Sequence, residues 1–338
     1  MKDANVKLRT SSNPSLNPSL NPSLNPIEGK VKPKKPGVLR ELSRNRFSYL
    51  LALPAVVYVF IFSYATYPYL VIAFQRFNYQ QGIFRSEWIG FKNFEFFFKS
   101  SDAWTVMANT IKLNLLFLVF GTVFAVALAM LFNEIRHKLF IKLAQSTMIF
   151  PSFLSWIIVS YLMYMLFATD GGMVNRMLDA LGLSAPNWYS EAKMWPWLLT
   201  GMKIWKDAGM GSIIYLAAIT GIDQSLYESA DIDGASRWRK IRSITMPLLA
   251  PTVAILTLLN LGKIFYGDFG MLYAIIGDNG VLYPTTDVID TYVFRALRQI
   301  GDPSNAAAIG LFQSVVGFLL VFIANFMTRK FYKEGALY

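Results

Sequence analysis

Few residues in this sequence could carry out a reaction. Asp231 and Asp233 have the spacing of a metal–nucleotide carboxylate pair, which a membrane glycosyltransferase would use. That two-residue pattern is weak. The chain has no cysteine, which excludes disulfides, Fe–S clusters, thiol nucleophiles and Cys-ligated zinc. Its single histidine, His137, stands between Arg136 and Lys138 and reads as part of a basic loop. No Gly-x-x-x-x-Gly-Lys-Ser/Thr loop is present to cradle phosphates, and Gly262-Lys263 falls inside an apolar run. The expectation is therefore no catalytic residue, no metal site and no cofactor bound by this chain. The chemistry that remains is recognition: Lys203, Lys206, Asp207 and Lys263 sit in apolar surroundings, where ionisable groups cost roughly 2.5–3.5 kcal/mol each at the centre of a bilayer and tend to face a pathway.

The elements that must position these charges are membrane spans. The 338 residues are 54% hydrophobic and 16% charged, with a mean hydropathy of +0.38, against roughly 25% charged residues in soluble domains. A spanning helix needs about 20 apolar residues. Six runs qualify, at 49–74, 111–132, 144–167, 195–220, 247–267 and 306–328; the fourth and fifth carry the charges. Residues 1–47 differ in kind: Asn13-Pro14-Ser15-Leu16 repeats through residue 24, and lysines interleaved with prolines follow. Proline in every four-residue unit defeats helix and ladder alike, so this stretch reads as a disordered tail. It is not a signal peptide, because the apolar run behind it is too long and too deep in the chain.

The net charge of +11 raises nucleic acid as a partner, but its distribution argues otherwise. With a cytoplasmic N-terminus, 20 Lys and Arg fall on that side of the spans and 8 on the other. This is the positive-inside pattern, so the surplus sets topology: both termini are cytoplasmic, and no nucleic-acid partner is expected. The outer loops are rich in aromatics. Trp88 to Phe98 and a short helix over 172–183 ended by Gly182 read as amphipathic pieces that lie in the headgroup plane or cap a cavity.

Between the fourth and fifth spans lies Tyr227-Glu228-Ser229-Ala230-Asp231-Ile232-Asp233-Gly234-Ala235, followed by Ser236 to Pro247. The pattern predicts a helix from about Gln224, a break at Gly234, a basic amphipathic helix, and Pro247 in the first turn of the next span. Gly234 reads either as a plain C-cap or as a residue whose missing side chain permits a left-handed backbone or close approach. The segment resembles the signature of binding-protein-dependent ABC importer permeases: Glu-Ala-Ala, three residues, Gly, nine residues, Ile-x-Leu-Pro. Glu228, Ala230, Gly234, Ile244 and Pro247 stand at the matching places, Ser229 replaces the second-position Ala, Met246 replaces the Leu, and Asp233-Gly234-Ala235 is similar to the Asp-Gly-Ala of sugar-importer permeases.

The resemblance covers most of 45–335. It implies an all-α integral membrane protein of the type I ABC importer permease fold, with six transmembrane helices and a coupling helix in the 222–247 loop. It further implies residence in a bacterial cell (inner) membrane, a second homologous permease, and an ATP-binding-cassette ATPase dimer that binds ATP and Mg. An extracellular or periplasmic solute-binding protein would complete the assembly. ATP hydrolysis would then lie outside this chain. The stretch from Lys263 to Gly270 and from Leu282 to Val293 resembles the branch for complex oligosaccharides.

Two readings of the buried charges stay open. Lys203, Lys206 and Lys263 against the one carboxylate of Asp207 would suit an anionic sugar such as a uronate oligosaccharide, with Trp205 and Tyr266 stacking on rings. Asp207, Asn260 and Asp268 join the candidates because the resemblance implies sugar contacts from the spans before and after the coupling loop. Alternatively, Lys203 pairs with Asp207 at i, i+4 and the other lysines snorkel outward. A secondary transporter is the rival function, but it would show repeated halves and acids deep in several spans, and neither is visible.

Overall fold

The computed structural model describes residues 45–331. The repeat-bearing tail lies outside these residues, apart from its last few. The chain divides into two compact units, one ending at Tyr64 and the other beginning at Ala65. In the first unit, α1 (Arg46–Val59) continues into a π-helical turn at Phe60–Tyr64.

The second unit opens with a 3-10 segment, Tyr67–Phe74, and a two-residue hairpin pairing β1 (Gln75–Arg76) with β2 (Glu87–Trp88). The aromatic stretch beyond it packs against this hairpin and the 3-10 segment. Phe74 stacks on Trp88 at 5.6 Å, Phe97 of α2 (Lys92–Lys99) is buried, and the Asn93 amide donates to the Ala73 and Gln75 carbonyls.

The long α3 (Ser101–Glu134) is the spine of this unit. Ala103 and Val106 join Phe97 and Ile309 in one apolar cluster, Leu113 and Phe117 join Trp195 and Met271 in a second, and Ala125 and Ala129 join Tyr215 and Leu249 in a third. Small side chains at Ala125 and Ala129 let the α7 backbone (Trp195–Thr220) approach closely, as helices do in lipid, where packing replaces the hydrophobic drive.

The third apolar run is not one straight span. It is α4 (Lys138–Ile149), a 3-10 turn at Phe150–Phe153, and α5 (Trp156–Phe167), bent by 99°. Pro151 lacks the N–H that would continue α4, and the Ser155 hydroxyl accepts from the Ile158 N–H to begin α5. His137 is more than a loop residue, since its Nδ1 accepts from the Phe140 N–H and caps α4. The short outer helix is α6 (Met173–Ala180), closed by Gly182 in the left-handed region.

The fifth run also differs from expectation. The basic helix α9 (Arg237–Lys240), a π turn at Ile241–Thr245 and α10 (Met246–Leu261) form one continuous run from Arg237 to Leu261. Pro247 stands in the first turn of α10, as expected, although the helical run continues through it from α9. The run stops at Leu261, short of the expected 267. After a turn come α11 (Phe269–Ile276), α12 (Ile289–Arg295) and the long α13 (Pro303–Phe331).

Among the described residues four helical runs are long and apolar enough to cross a membrane, and the bent pair makes a fifth. The sixth expected span, α7, has the length at 26 residues but carries Lys203, Lys206 and Asp207 near its middle.

Candidate functional site: a polar cavity and a coupling segment

α7 and α10 are joined by the segment 221–245, and beyond that junction they enclose a cavity with α3. Its volume is about 540 Å³, and Lys203, Asp207, Asn260, Lys263, Tyr266 and Asp268 all line it. Six of the eight residues proposed for the pathway are thus brought to one wall. The other two are not. Trp205 faces the opposite side of α7, in an apolar cleft of about 700 Å³ with Met165, Met173 and Arg176. Lys206 is buried and turned to the break in the third span, where its Nζ donates to the Ser152 carbonyl at 2.9 Å and lies 5.1 Å from the Trp156 ring centre. It does not snorkel. Beside it Gly209 lets α7 touch α4, because a Cβ there would lie 1.9 Å from the Met148 carbonyl oxygen.

The charge count at the cavity changes accordingly. Lys203 pairs with Asp207 at 3.0 Å and with Asp268 at 2.6 Å, a partner 65 residues away. The lining itself is balanced at two lysines and two aspartates, with Lys206 behind it 3.8 Å from Asp207, in place of the three-to-one excess expected. Among the described residues Lys263 makes no ion pair, and it is exposed to the cavity. Tyr266 stands open beside it, half-exposed. The Asn260 amide donates to the Leu256 carbonyl.

Lys263 and Tyr266 are presented by an unwound stretch, not by a helix. Gly262 follows the last helical residue, and Asp268 begins α11 by accepting from the Met271 N–H. Those stop and start signals are present in the sequence. Three polar residues that sequence reasoning passed over hold the stretch. The Asn114 amide donates to the carbonyls of Ile264 and Tyr266, the Gln313 amide to that of Phe265, and Asp290 accepts from the Gly267 N–H. Asn114 and Gln313 were visible as lone polar residues inside apolar runs, though their partners were not.

The coupling segment has a different construction. α8 (Gln224–Ile232) starts at Asp223, whose carboxylate accepts from the Ser225 N–H; that bond lowers the pKa of the Asp223 carboxyl. α8 ends in a Schellman pair, with the Ala235 N–H donating to the Ala230 carbonyl and the Gly234 N–H to the Asp231 carbonyl. Gly234 has φ +68°, and a Cβ there would meet nothing within 4 Å of this chain. Within the chain the glycine is required by its backbone, not by close approach.

Glu228, Ser229, Asp233 and Pro247 are exposed, whereas Ala230 and Ile244 are half-buried. The segment is tied inward by Tyr227 Oη to Thr245 Oγ1 at 2.9 Å and by Lys240 to Asp231 at 2.7 Å. Lys240 thus pairs with Asp231, and Asp233 lies at the C-terminal end of α8. Outward, Ile232 is 88% exposed and Trp238 71%, leaving an apolar face on an otherwise polar, ordered element.

Residues 119–333 match the family described as binding-protein-dependent transport system inner membrane component. Among curated relatives, the polygalacturonan/rhamnogalacturonan transport system permease protein YteP of Bacillus subtilis (strain 168) is 35% identical over 304 residues, 90% of this chain and 94% of its own. Protein LplB of the same organism is 34% identical over 87% of this chain and 92% of its own. Among solved structures, a bacterial ABC transporter involved in the import of the acidic polysaccharide alginate superposes with a TM-score of 0.79 at 34% identity, covering 86% of this chain and 98% of the other. A second structure, in which that transporter is in complex with an alginate pentasaccharide-bound periplasmic protein, matches at the same TM-score and identity.

Proposed function

Because the chain belongs to the binding-protein-dependent transport system inner membrane components, as the permease subunit of a carbohydrate ABC importer, we propose that its cavity passes an oligosaccharide bearing isolated uronate carboxylates and that the segment 222–247 receives the stroke of a separate ATPase. The observation that carries this reading is the direct joining of the two: α7 and α10 line the cavity, and the segment with the exposed Ile232 face connects their ends. Asp207 lies 13 residues from Thr220, about 20 Å along α7 at 1.5 Å per residue, so a shift of the segment reaches the sugar through a rigid rod.

Recognition follows from the lining. Asp207 and Asp268 accept hydroxyl hydrogen bonds, Tyr266 offers a ring face, and Lys263 supplies one cation without a carboxylate of its own. A lining balanced in charge suits a sugar chain with spaced carboxylates better than a dense polyanion. The acidic polysaccharides in the names of its relatives support this class.

The assembly would comprise a second homologous permease, an ATPase dimer holding ATP and Mg, and a solute-binding protein such as the periplasmic one seen with the alginate transporter. The chain would lie in the bacterial cell (inner) membrane with both termini cytoplasmic. The test is co-purification from native membranes. A second permease and an ATPase should accompany the parent, and the ATPase should be lost from Gly234→Trp. If the parent purifies alone and the substitution changes nothing, an ion-coupled secondary transporter becomes the better reading.

A further inference from the structure

The stretch Gly262–Asp268 keeps turn bonds of its own, from the N–H groups of Lys263, Ile264 and Tyr266 to the carbonyls of Asn260, Leu261 and Lys263, but these leave the Phe265 carbonyl and the Gly267 N–H to be met from elsewhere. Backbone groups freed from a helix at membrane depth must find partners, and such backbone persists only where protein or a cavity supplies them. Here the partners come from behind the stretch. Gln313 on α13 is 5% exposed and does not line the cavity; its Nε2 donates to the Phe265 carbonyl at 2.6 Å and to Asp290 Oδ2 at 3.0 Å. The same Asp290 oxygen accepts the Gly267 N–H at 2.6 Å. One amide and one carboxylate, neither in reach of the cavity, thus fix two consecutive freed groups on the turn that carries Lys263, Tyr266 and Asp268.

We propose that Gln313 and Asp290 are positioning residues for transport: they set the affinity of the importer for its sugar by holding the Lys263–Asp268 turn in place, without touching the sugar. This rests on the reading of the cavity as the sugar site. The turn lies between the end of α10 and the start of α11; buried Phe265 packs it against Phe312, and Asn114 reaches it from the cavity side, so Gln313 and Asp290 are its polar hold from behind. Asp268, fixed by the turn, in turn holds Lys203. A loosened turn therefore disperses three lining side chains together.

The test uses the assembled importer in liposomes with its binding protein, measuring uptake of labelled trigalacturonate by the parent, Gln313→Leu, Asp290→Asn, Lys263→Ala and the double variant Gln313→Leu/Lys263→Ala. Leucine keeps the volume and removes the donor, while asparagine keeps an acceptor for the Gly267 N–H. The expected result is an apparent KM at least fivefold higher for Gln313→Leu, with maximal rate and basal ATP hydrolysis within twofold of the parent and Asp290→Asn close to it. The double variant should be no worse than the poorer single one, because sites that act through one element are not additive.

Lys263→Ala raising KM while Gln313→Leu leaves it unchanged overturns the positioning role alone. Additive effects, or a fall in maximal rate with KM unchanged, also overturn it. If no variant alters KM, Lys263→Ala included, the sugar-site reading falls with it.

Discussion

The coupling segment and the cavity stand on the same two helices, yet they are held by different kinds of contact. Asp223 caps a residue two positions on, Lys240 reaches Asp231 nine positions back, and Tyr227 meets Thr245 across 18 residues. In the cavity, Lys203 meets Asp268 across 65 residues, and Asn114 holds the Ile264 carbonyl across 150. The first region folds largely on itself and keeps an outer face open for a partner. The second exists only when α3, α7, α12 and α13 have come together. A local element can move as a body without dissolving the site, whereas a site assembled from remote residues registers any relative shift of its helices. That division suits a machine driven at one end and loaded at the other.

The contrast can be broken at several points. The largest effect is expected from Gly234→Val. A β-branched residue in the left-handed region costs at least about 1–2 kcal/mol and displaces the helix end that presents Ile232. ATP-driven uptake should fall more than tenfold, while the thermal melting of the purified chain shifts only slightly, because fraying of this exposed helix end relieves the strain without opening the core. A melting shift as large as that of a core variant would show that the segment is not autonomous.

Lys203→Ala should do the reverse. It leaves Asp207 and Asp268 side by side without their shared cation, at a cost of roughly 1–3 kcal/mol, and should lower the melting temperature by several degrees. Adding Asp268→Asn should recover part of that loss, and no recovery would remove the ion pair from the account.

Lys263→Ala should leave melting unchanged and alter selectivity alone. Uptake of a trigalacturonate should weaken severalfold relative to a neutral trisaccharide of the same length. Equal loss for both sugars would mean that Lys263 does not read the carboxylate.

Tyr227→Phe removes one hydrogen bond, worth about 1 kcal/mol, between the segment and the π turn before α10. A modest fall in ATP hydrolysis stimulated by loaded binding protein is expected, with basal hydrolysis unaffected.

The smallest effect concerns pH. The folded pKa of Asp223 is lowered by the Ser225 N–H, so its capping contribution is present above the unfolded value and is lost as pH falls through the folded one. Amide protection within Gln224–Ile232, taken relative to the intrinsic exchange rate at each pH, should fall on acidification, and Asp223→Ala should abolish that dependence.

These two regions were also unequally legible. The start of α8, the break at Gly234 and the basic helix after it were all present as local signals: a polar cap, a glycine and a charge pattern. The bend at Pro151 and Ser155 and the end of α10 at Gly262 carried equally local signals, but apolar continuity masked them, because hydropathy measures composition and is blind to direction. The depth of Lys203, Asp207 and Lys263 was readable from helical rise. Their facing was not, since Trp205 and Lys206 differ from Lys203 and Asp207 only by rotation about α7, and which side meets the cavity depends on where α3 and α4 pack.

The sequence by itself therefore determined that the chain is a bundle of apolar helices, which way its basic loops bias it, and where the ordered coupling segment lies. Periodicity, caps and charge act within a few residues of one another. Only the tertiary structure decided that Asp268 neutralises Lys203, that Lys206 serves the broken span, and that Gln313 and Asp290 stand behind the turn bearing Lys263. Those outcomes depend on the packing of helices far apart in the chain. An ion pair or a hydrogen bond is a statement about distance, which no single segment contains.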